Sequence, residues 1–152
     1  MSRVQLALNV DDLEQSIAFY SKLFGTEPAK RRPGYANFAV ATPPLKLVLL
    51  ENPGHGGSLN HLGVEVGDVD TVDSEQSRLS ASGLASVDER GTTCCYAKQD
   101  KFWVEGAPDG ERWEVYTVLA DSETFAGTGD AACCGEELAT ADDPQPSEAR
   151  CC

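Results

Sequence analysis

The residues best equipped for chemistry in this chain are its cysteines and a few polar residues set into otherwise aliphatic strings. Six cysteines fall as three adjacent pairs, Cys94-Cys95, Cys133-Cys134 and Cys151-Cys152. That spacing does not suit a disulfide framework, because bonding neighbours strains the peptide between them, and a reducing cytosol keeps such pairs as free thiols. Paired thiolates favour soft, thiophilic atoms such as zinc, cadmium or trivalent arsenic over magnesium or calcium. The second set is Gln5, His61 and Glu114, each embedded among apolar residues, as in Trp113-Glu114-Val115-Tyr116. If their strands lie side by side, one amide oxygen, one imidazole and one carboxylate meet on one cation. Such a set leaves coordination positions free, as an oxygen-activating ferrous centre requires.

Each of these residues also has a plainer reading. Gln5 suits a satisfied strand amide, and His61 a buried structural imidazole. Glutamate is rarely buried alone, so Glu114 needs a partner, and either Arg112, two residues away on the same strand face, or a lysine would serve. Cys94 and Cys95 suit small buried apolar positions. Adjacent strand residues point to opposite faces, so the two thiols grip one atom only in a loop or a distorted strand. This predicts a mobile loop over about Gly91 to Phe102, with Lys98 and Lys101 either helping to ionise the thiols or simply solvated. His55, in the Gly-rich string Asn52 to Ser58, reads as solvated.

The elements that must position these residues repeat. Val4 to Val10, then Asp11-Asp12, an amphipathic run to Phe24 and Gly25, match Asn60 to Val66, then Asp68, a polar helical run to Ser82 and Gly83. The acids supply helix N-caps and the glycines fit helix stops. Three strand candidates follow each helix: Glu27 to Arg32, Tyr35 to Ala41 and Leu45 to Glu51, then Ala85 to Glu89, Cys94 to Glu105 and Arg112 to Val118. Pro33-Gly34, Pro43-Pro44 and Pro108-Asp109-Gly110 mark turns between them. The expected fold class is therefore α+β, with two βαβββ modules at about 3–51 and 60–118. Strand alternation puts Gln5, Ala7 and Asn9 on one face of the first strand and His61, Gly63 and Glu65 on the matching face of its repeat. That face should line a cavity bounded by two sheets, while the aliphatic faces take the helices.

The chain carries 152 residues and a net charge of −13. Eight acids against Arg150 give the segment 119–152 a charge of −7, leaving −6 to the body, 1–118. The segment has few large apolar residues, so a flexible low-complexity tail holding Cys133, Cys134, Cys151 and Cys152 is expected. The acidity argues against nucleic acid and membrane partners. With no run of eighteen apolar residues and no signal-like start, the protein reads as cytoplasmic, acting on a small molecule.

These strings reach a family resemblance. The doubled βαβββ pattern, the Leu8-Asn9-Val10-Asp11-Asp12-Leu13-Glu14 opening, Asn60-His61-Leu62-Gly63-Val64-Glu65-Val66 and Trp113-Glu114-Val115-Tyr116 resemble the vicinal oxygen chelate superfamily, home of glyoxalase I, bleomycin resistance proteins and extradiol dioxygenases. Leu45 to Pro53, Gly91-Thr92-Thr93-Cys94-Cys95 and Glu111 to Leu119 are similar to its branch of cadmium-induced proteins and organoarsenical carbon-arsenic lyases. The resemblance implies a vicinal oxygen chelate fold and a non-heme Fe(II)- and O2-dependent dioxygenase. It would cleave the carbon-arsenic bond of trivalent organoarsenicals, methylarsenite and aryl arsenicals, releasing arsenite in detoxification. It also implies iron on Gln5, His61 and Glu114, and arsenic on Cys94 and Cys95. Extradiol dioxygenases have histidine at the place of Gln5, and glyoxalase I has a fourth ligand where this chain offers only Lys46-Leu47-Val48, so a four-ligand isomerase is not expected. The tail thiols have no matching positions and read either as auxiliary metal-binding groups or as residues without function. The competing expectation is a cadmium- or arsenic-binding buffer that uses the thiol pairs. An aromatic set, Tyr96, Phe102, Trp103 and Tyr116, suits either aryl arsenicals or core packing. Monomer and homodimer are both open, because modules paired within one chain or swapped between two bury the same faces.

Overall fold

The computed structural model describes residues 2–125. The first module is β1 (Arg3–Val10), α1 (Leu13–Phe24), β2 (Lys30–Arg32), β3 (Tyr35–Val40) and β4 (Leu45–Glu51). The second is β5 (Leu59–Glu65), α2 (Val69–Ala81), β6 (Ser86–Cys94), β7 (Ala97–Val104) and β8 (Trp113–Asp121). Both helices start as expected: the Asp12 carboxylate accepts the Gln15 amide at 2.9 Å, and Asp68 accepts that of Thr71 at 2.8 Å. Gly25 ends α1 at φ 63°, a left-handed conformation that costs glycine least.

The strands form one eight-stranded sheet in the order β2-β3-β4-β1-β5-β8-β7-β6. Each module has its first strand parallel to its last, β1 with β4 and β5 with β8, and the modules join by antiparallel pairing of β1 with β5. The two-sheet cavity of the sequence reading is thus corrected to one curled sheet, because the β1–β5 ladder makes the modules continuous.

The aliphatic faces take the helices. Leu13 and Ile17 of α1 pack with Val10, Phe38, Leu47 and Leu49, and Val72 of α2 packs with Val66, Phe102 and Val115. The opposite face, inside the curl, carries the apolar group Ala7, Tyr35, Val48 and Leu50 beside the polar residues. β8 continues three residues past the expected boundary at 118, and the Phe125 ring packs against Tyr96 at 5.4 Å and Tyr35 at 6.5 Å. The folded body therefore takes in part of the segment read as tail, while Cys133, Cys134, Cys151 and Cys152 lie outside the described residues.

Phe102 is fully buried under α2. Phe102→Ala should lower the unfolding free energy by about 3–5 kcal/mol, the usual cost of a cavity of that size, measured by urea denaturation.

Candidate metal and thiol site

Three strands bring Gln5, His61 and Glu114 together, and a missing side chain lets them meet. Gln5 of β1 lies opposite Gly63 of β5, and Gly63 opposite Glu114 of β8. A Cβ at Gly63 would sit 3.1 Å from Glu114 Cγ and 3.4 Å from Gln5 Cβ. With hydrogen there instead, two long side chains from strands two apart converge above β5, and His61 joins them from two residues earlier on the same face. The Gln5 amide nitrogen stands 2.9 Å from His61 Nε2 and 2.8 Å from Glu114 Oε1, and His61 Nε2 is 3.4 Å from Glu114 Oε1. All three side chains are buried.

Their second contacts hold them in place. His61 Nδ1 lies 2.7 Å from Asn60 Oδ1. As the donor there, it leaves the Nε2 lone pair facing Gln5 and Glu114. Asn60 in turn donates to Asn9 at 3.1 Å, and Asn9 to Ser58 at 2.9 Å. Lys101 Nζ lies 3.0 Å from Glu114 Oε2 and 3.3 Å from Glu89 Oε2, with its side chain 1% exposed. Glu114 is thus partnered by a lysine rather than by Arg112, whose guanidinium stacks 4.2 Å from the Trp103 ring centroid. Lys101 correspondingly belongs to the carboxylates and not to the thiols. Burial pushes the Glu114 carboxyl up, but the Lys101 ammonium outweighs it and holds the group well below the usual carboxylate range.

On the other side of Gln5, Tyr116 Oη is 2.5 Å from the amide oxygen, 2.9 Å from Glu65 Oε2 and 3.0 Å from Lys46 Nζ. Burial, together with the Glu65 and Glu114 carboxylates, pushes the phenol well above its ordinary value, so it is protonated. Lys46 faces Gln5 across the β1–β4 ladder, and the position that matches Glu114 in the first module, opposite Ala7, is the aliphatic Val48. Tyr116 and Phe102 are thereby a hydrogen-bonding residue and a core residue, whereas Trp103 sits edge-on to His61 at 5.6 Å. The sequence reading missed the roles of Lys46, Asn60, Lys101 and Tyr116. For Lys46 and Lys101 a signal existed, since a lysine within an apolar strand needs an acid on the same face.

The geometry fits a metal. Donors at metal distances of about 2.1 Å on adjacent octahedral corners stand about 3.0 Å apart, and the three separations here bracket that value. Turning the Gln5 amide by half a turn presents its oxygen. Among the described residues, no group of three or more His, Cys, Asp and Glu side chains is placed to hold a metal ion. A site on His61 and Glu114 would therefore take Gln5 as its third donor.

The thiols occupy a hairpin, which corrects the expected loop over Gly91 to Phe102. β6 and β7 pair from Ser86↔Val104 to Cys94↔Ala97, with a bulge between Glu89 and Thr92, and the connection is the two residues Cys95 and Tyr96. Both have positive φ, 54° and 60°, the form of a tight hairpin turn that usually takes Asn-Gly. Holding side chains there stores on the order of 1–3 kcal/mol per residue. The turn breaks strand alternation, so the thiols of Cys94 and Cys95 converge with sulfurs 3.3 Å apart. The tip is anchored on the first module: Lys30 Nζ donates to the Tyr96 carbonyl at 3.0 Å, and Cys95 and Tyr96 pack on the apolar group of Ala7, Tyr35, Val48 and Leu50. Ala7 is the cross-strand partner of His61. The apolar floor therefore runs from the thiols to the donor triad.

Residues 3–115 match the Glyoxalase/Bleomycin resistance protein/Dioxygenase superfamily. The chain belongs to this superfamily. A relative in Mycobacterium tuberculosis, the cadmium-induced protein CadI, is 74% identical over 129 residues, covering 85% of this chain and 84% of its own. Another, from Thermomonospora curvata, is named a trivalent organoarsenical cleaving enzyme; it is 64% identical over 135 residues, covering 88% and 89%. The crystal structure of a Mn(II)-bound glyoxalase from Novosphingobium aromaticivorans shares the fold, with a TM-score of 0.56 at 19% identity, over 85% of this chain and 44% of that one. The fold is that of the vicinal oxygen chelate proteins.

Two outcomes follow from this packing. Gly63→Ala should destabilise the protein by about 1–3 kcal/mol through overpacking against Glu114, read by urea unfolding at pH 7. Because folding lowers the Glu114 pKa, the unfolded chain takes up the extra proton first as pH falls. The pair's stabilisation is therefore complete above about pH 5 and is lost progressively below the ordinary value of 4.5. Unfolding midpoints measured from pH 7 to pH 3 should show this loss, and Glu114→Gln should flatten it.

Proposed function

We propose that this superfamily member is an Fe(II)- and O2-dependent enzyme of the cytoplasm that cleaves the carbon-arsenic bond of trivalent organoarsenicals, methylarsenite and aryl arsenicals, and releases arsenite. The observation that carries the reading is the buried triangle of Gln5, His61 and Glu114, one amide, one imidazole and one carboxylate. The relative named a trivalent organoarsenical cleaving enzyme supports the substrate class. Iron held by these three residues would supply oxygen activation at positions the protein leaves open.

The chain's own residues do the rest. Cys94 and Cys95 take arsenic by exchange: each thiol replaces a hydroxyl group on arsenic, and the thiol proton leaves with it as water. Sulfurs 3.3 Å apart subtend about 90° at an atom some 2.3 Å from each, a fitting angle for a pyramidal trivalent centre. Asn60 keeps the Nε2 lone pair of His61 inward. Lys101 occupies Glu114 Oε2 and leaves Oε1 to face the metal position. Ala7, Val48, Leu50 and Tyr35 exclude water along the path and give the carbon substituent an apolar surface. The Lys30 contact with the Tyr96 carbonyl holds the turn against the apolar floor that leads to the triad.

Anaerobic loading with ferrous iron, followed by methylarsenite and air, should release arsenite in an iron- and oxygen-dependent way, with arsenic species separated and counted against an iron-free control. Glu114→Ala should abolish iron binding and turnover. Cys95→Ser should abolish arsenical binding while iron is retained. Tight arsenical binding with no conversion in the loaded protein would overturn the reading in favour of a soft-metal buffer.

A further inference from the structure

The hydrogen-bond count around Tyr116 decides which end of the Gln5 amide can face a metal. The Tyr116 hydroxyl has one proton and two lone pairs, yet it has three partners: Lys46 Nζ at 3.0 Å, Glu65 Oε2 at 2.9 Å and the Gln5 amide at 2.5 Å. Lys46 can only donate. Glu65 is held ionised by Lys46 at 3.2 Å and Arg3 at 2.9 Å, so it can only accept. With the amide oxygen toward Tyr116, two acceptors, Gln5 Oε1 and Glu65 Oε2, claim a single proton. With the amide turned by half a turn, Lys46 and Gln5 Nε2 both donate to the phenol oxygen, and the phenol proton goes to Glu65. Each of the three contacts then joins one donor to one acceptor.

That turn moves the conflict inward. Gln5 Oε1 comes to the place now 2.8 Å from Glu114 Oε1 and 2.9 Å from His61 Nε2, and three lone pairs face one another. A cation in their midst satisfies all three.

We propose that Tyr116, with its proton drawn to Glu65 and its oxygen loaded by Lys46, is a positioning residue that turns the Gln5 amide oxygen-inward, so that metal binding and the Tyr116–Glu65 hydrogen bond form together. The network is built for this. Gln5 and Tyr116 are 4% and 0% exposed, and Lys46 and Glu65 reach them from β4 and β5, on opposite sides of β1. An amide ligand needs such a device, because its two ends have the same shape and only one can ligate. The inference rests on the metal reading above.

The test is anaerobic equilibrium dialysis of the full chain with ferrous iron, scoring the equivalent of iron that is lost in Glu114→Ala. Tyr116→Phe should weaken that site by about tenfold or more, the usual cost of losing an outer hydrogen bond to a ligand. Gln5→Glu presents oxygen at either end and needs no orienting. In that background Tyr116→Phe should therefore cost less than about threefold. Glu65→Ala, at a half-buried position, frees the Tyr116 proton for Gln5 Oε1 and should weaken iron in the same way, so the question stays answerable if Tyr116→Phe does not fold. If wild type and Glu114→Ala bind iron equally, the metal reading falls and takes this inference with it. If the iron site exists but Tyr116→Phe and Glu65→Ala leave its affinity unchanged, or if Tyr116→Phe weakens it equally in both backgrounds, the positioning role is overturned and the metal reading stands.

Discussion

Burying the carboxylate of Glu114 constrains most of what surrounds it. A charged carboxylate removed from water costs several kcal/mol unless charge and hydrogen bonds replace the solvent. Here the replacement comes from one cation and one neutral group: Lys101 on Oε2 and the Gln5 amide on Oε1. Lys101 is itself buried and needs a second acid, which Glu89 supplies from β6. The chain of requirements thus crosses five neighbouring strands, β1, β5, β8, β7 and β6. It ties the site to the order of the sheet rather than to any single loop.

The same carboxylate has two differently occupied oxygens, and this asymmetry makes the cluster usable. Oε2 is engaged by an ammonium that cannot leave without stranding a buried charge. Oε1 faces two groups whose donor and acceptor roles can be exchanged, an amide by rotation and an imidazole by tautomer. Electrostatics therefore directs any incoming cation to one corner. The outer ring of Tyr116, Glu65, Lys46 and Asn60 sets how much reorientation that arrival needs.

The thiol pair solves a different problem. Two neighbouring residues in a regular strand cannot point the same way, and a long loop would hold them together only at a large entropy cost. A two-residue turn with positive φ at Cys95 and Tyr96 converges the sulfurs by backbone geometry alone. Its strain is held in place by the tip's docking on Tyr35, Val48 and Leu50. The duplication makes this possible, because the hairpin of one module curls over the floor of the other.

The sequence by itself determined the elements and the faces. Asp12 and Asp68 as caps, Gly25 as a stop, the repeated βαβββ order and the period-two alternation that aligned Gln5, His61 and Glu65 are all local properties, set by backbone geometry and the hydrophobic pattern. Even Glu114 announced itself, since a carboxylate in an apolar strand implies a partner. Which partner, and in what ring, depended on register. Lys101 rather than Arg112, Gly63 as the gap through which Gln5 reaches Glu114, and a hairpin in place of a loop at Cys94-Cys95 follow from how strands far apart in the chain line up. That alignment is fixed by the packing of the whole sheet, where a slip of one residue would turn every side chain to the other face.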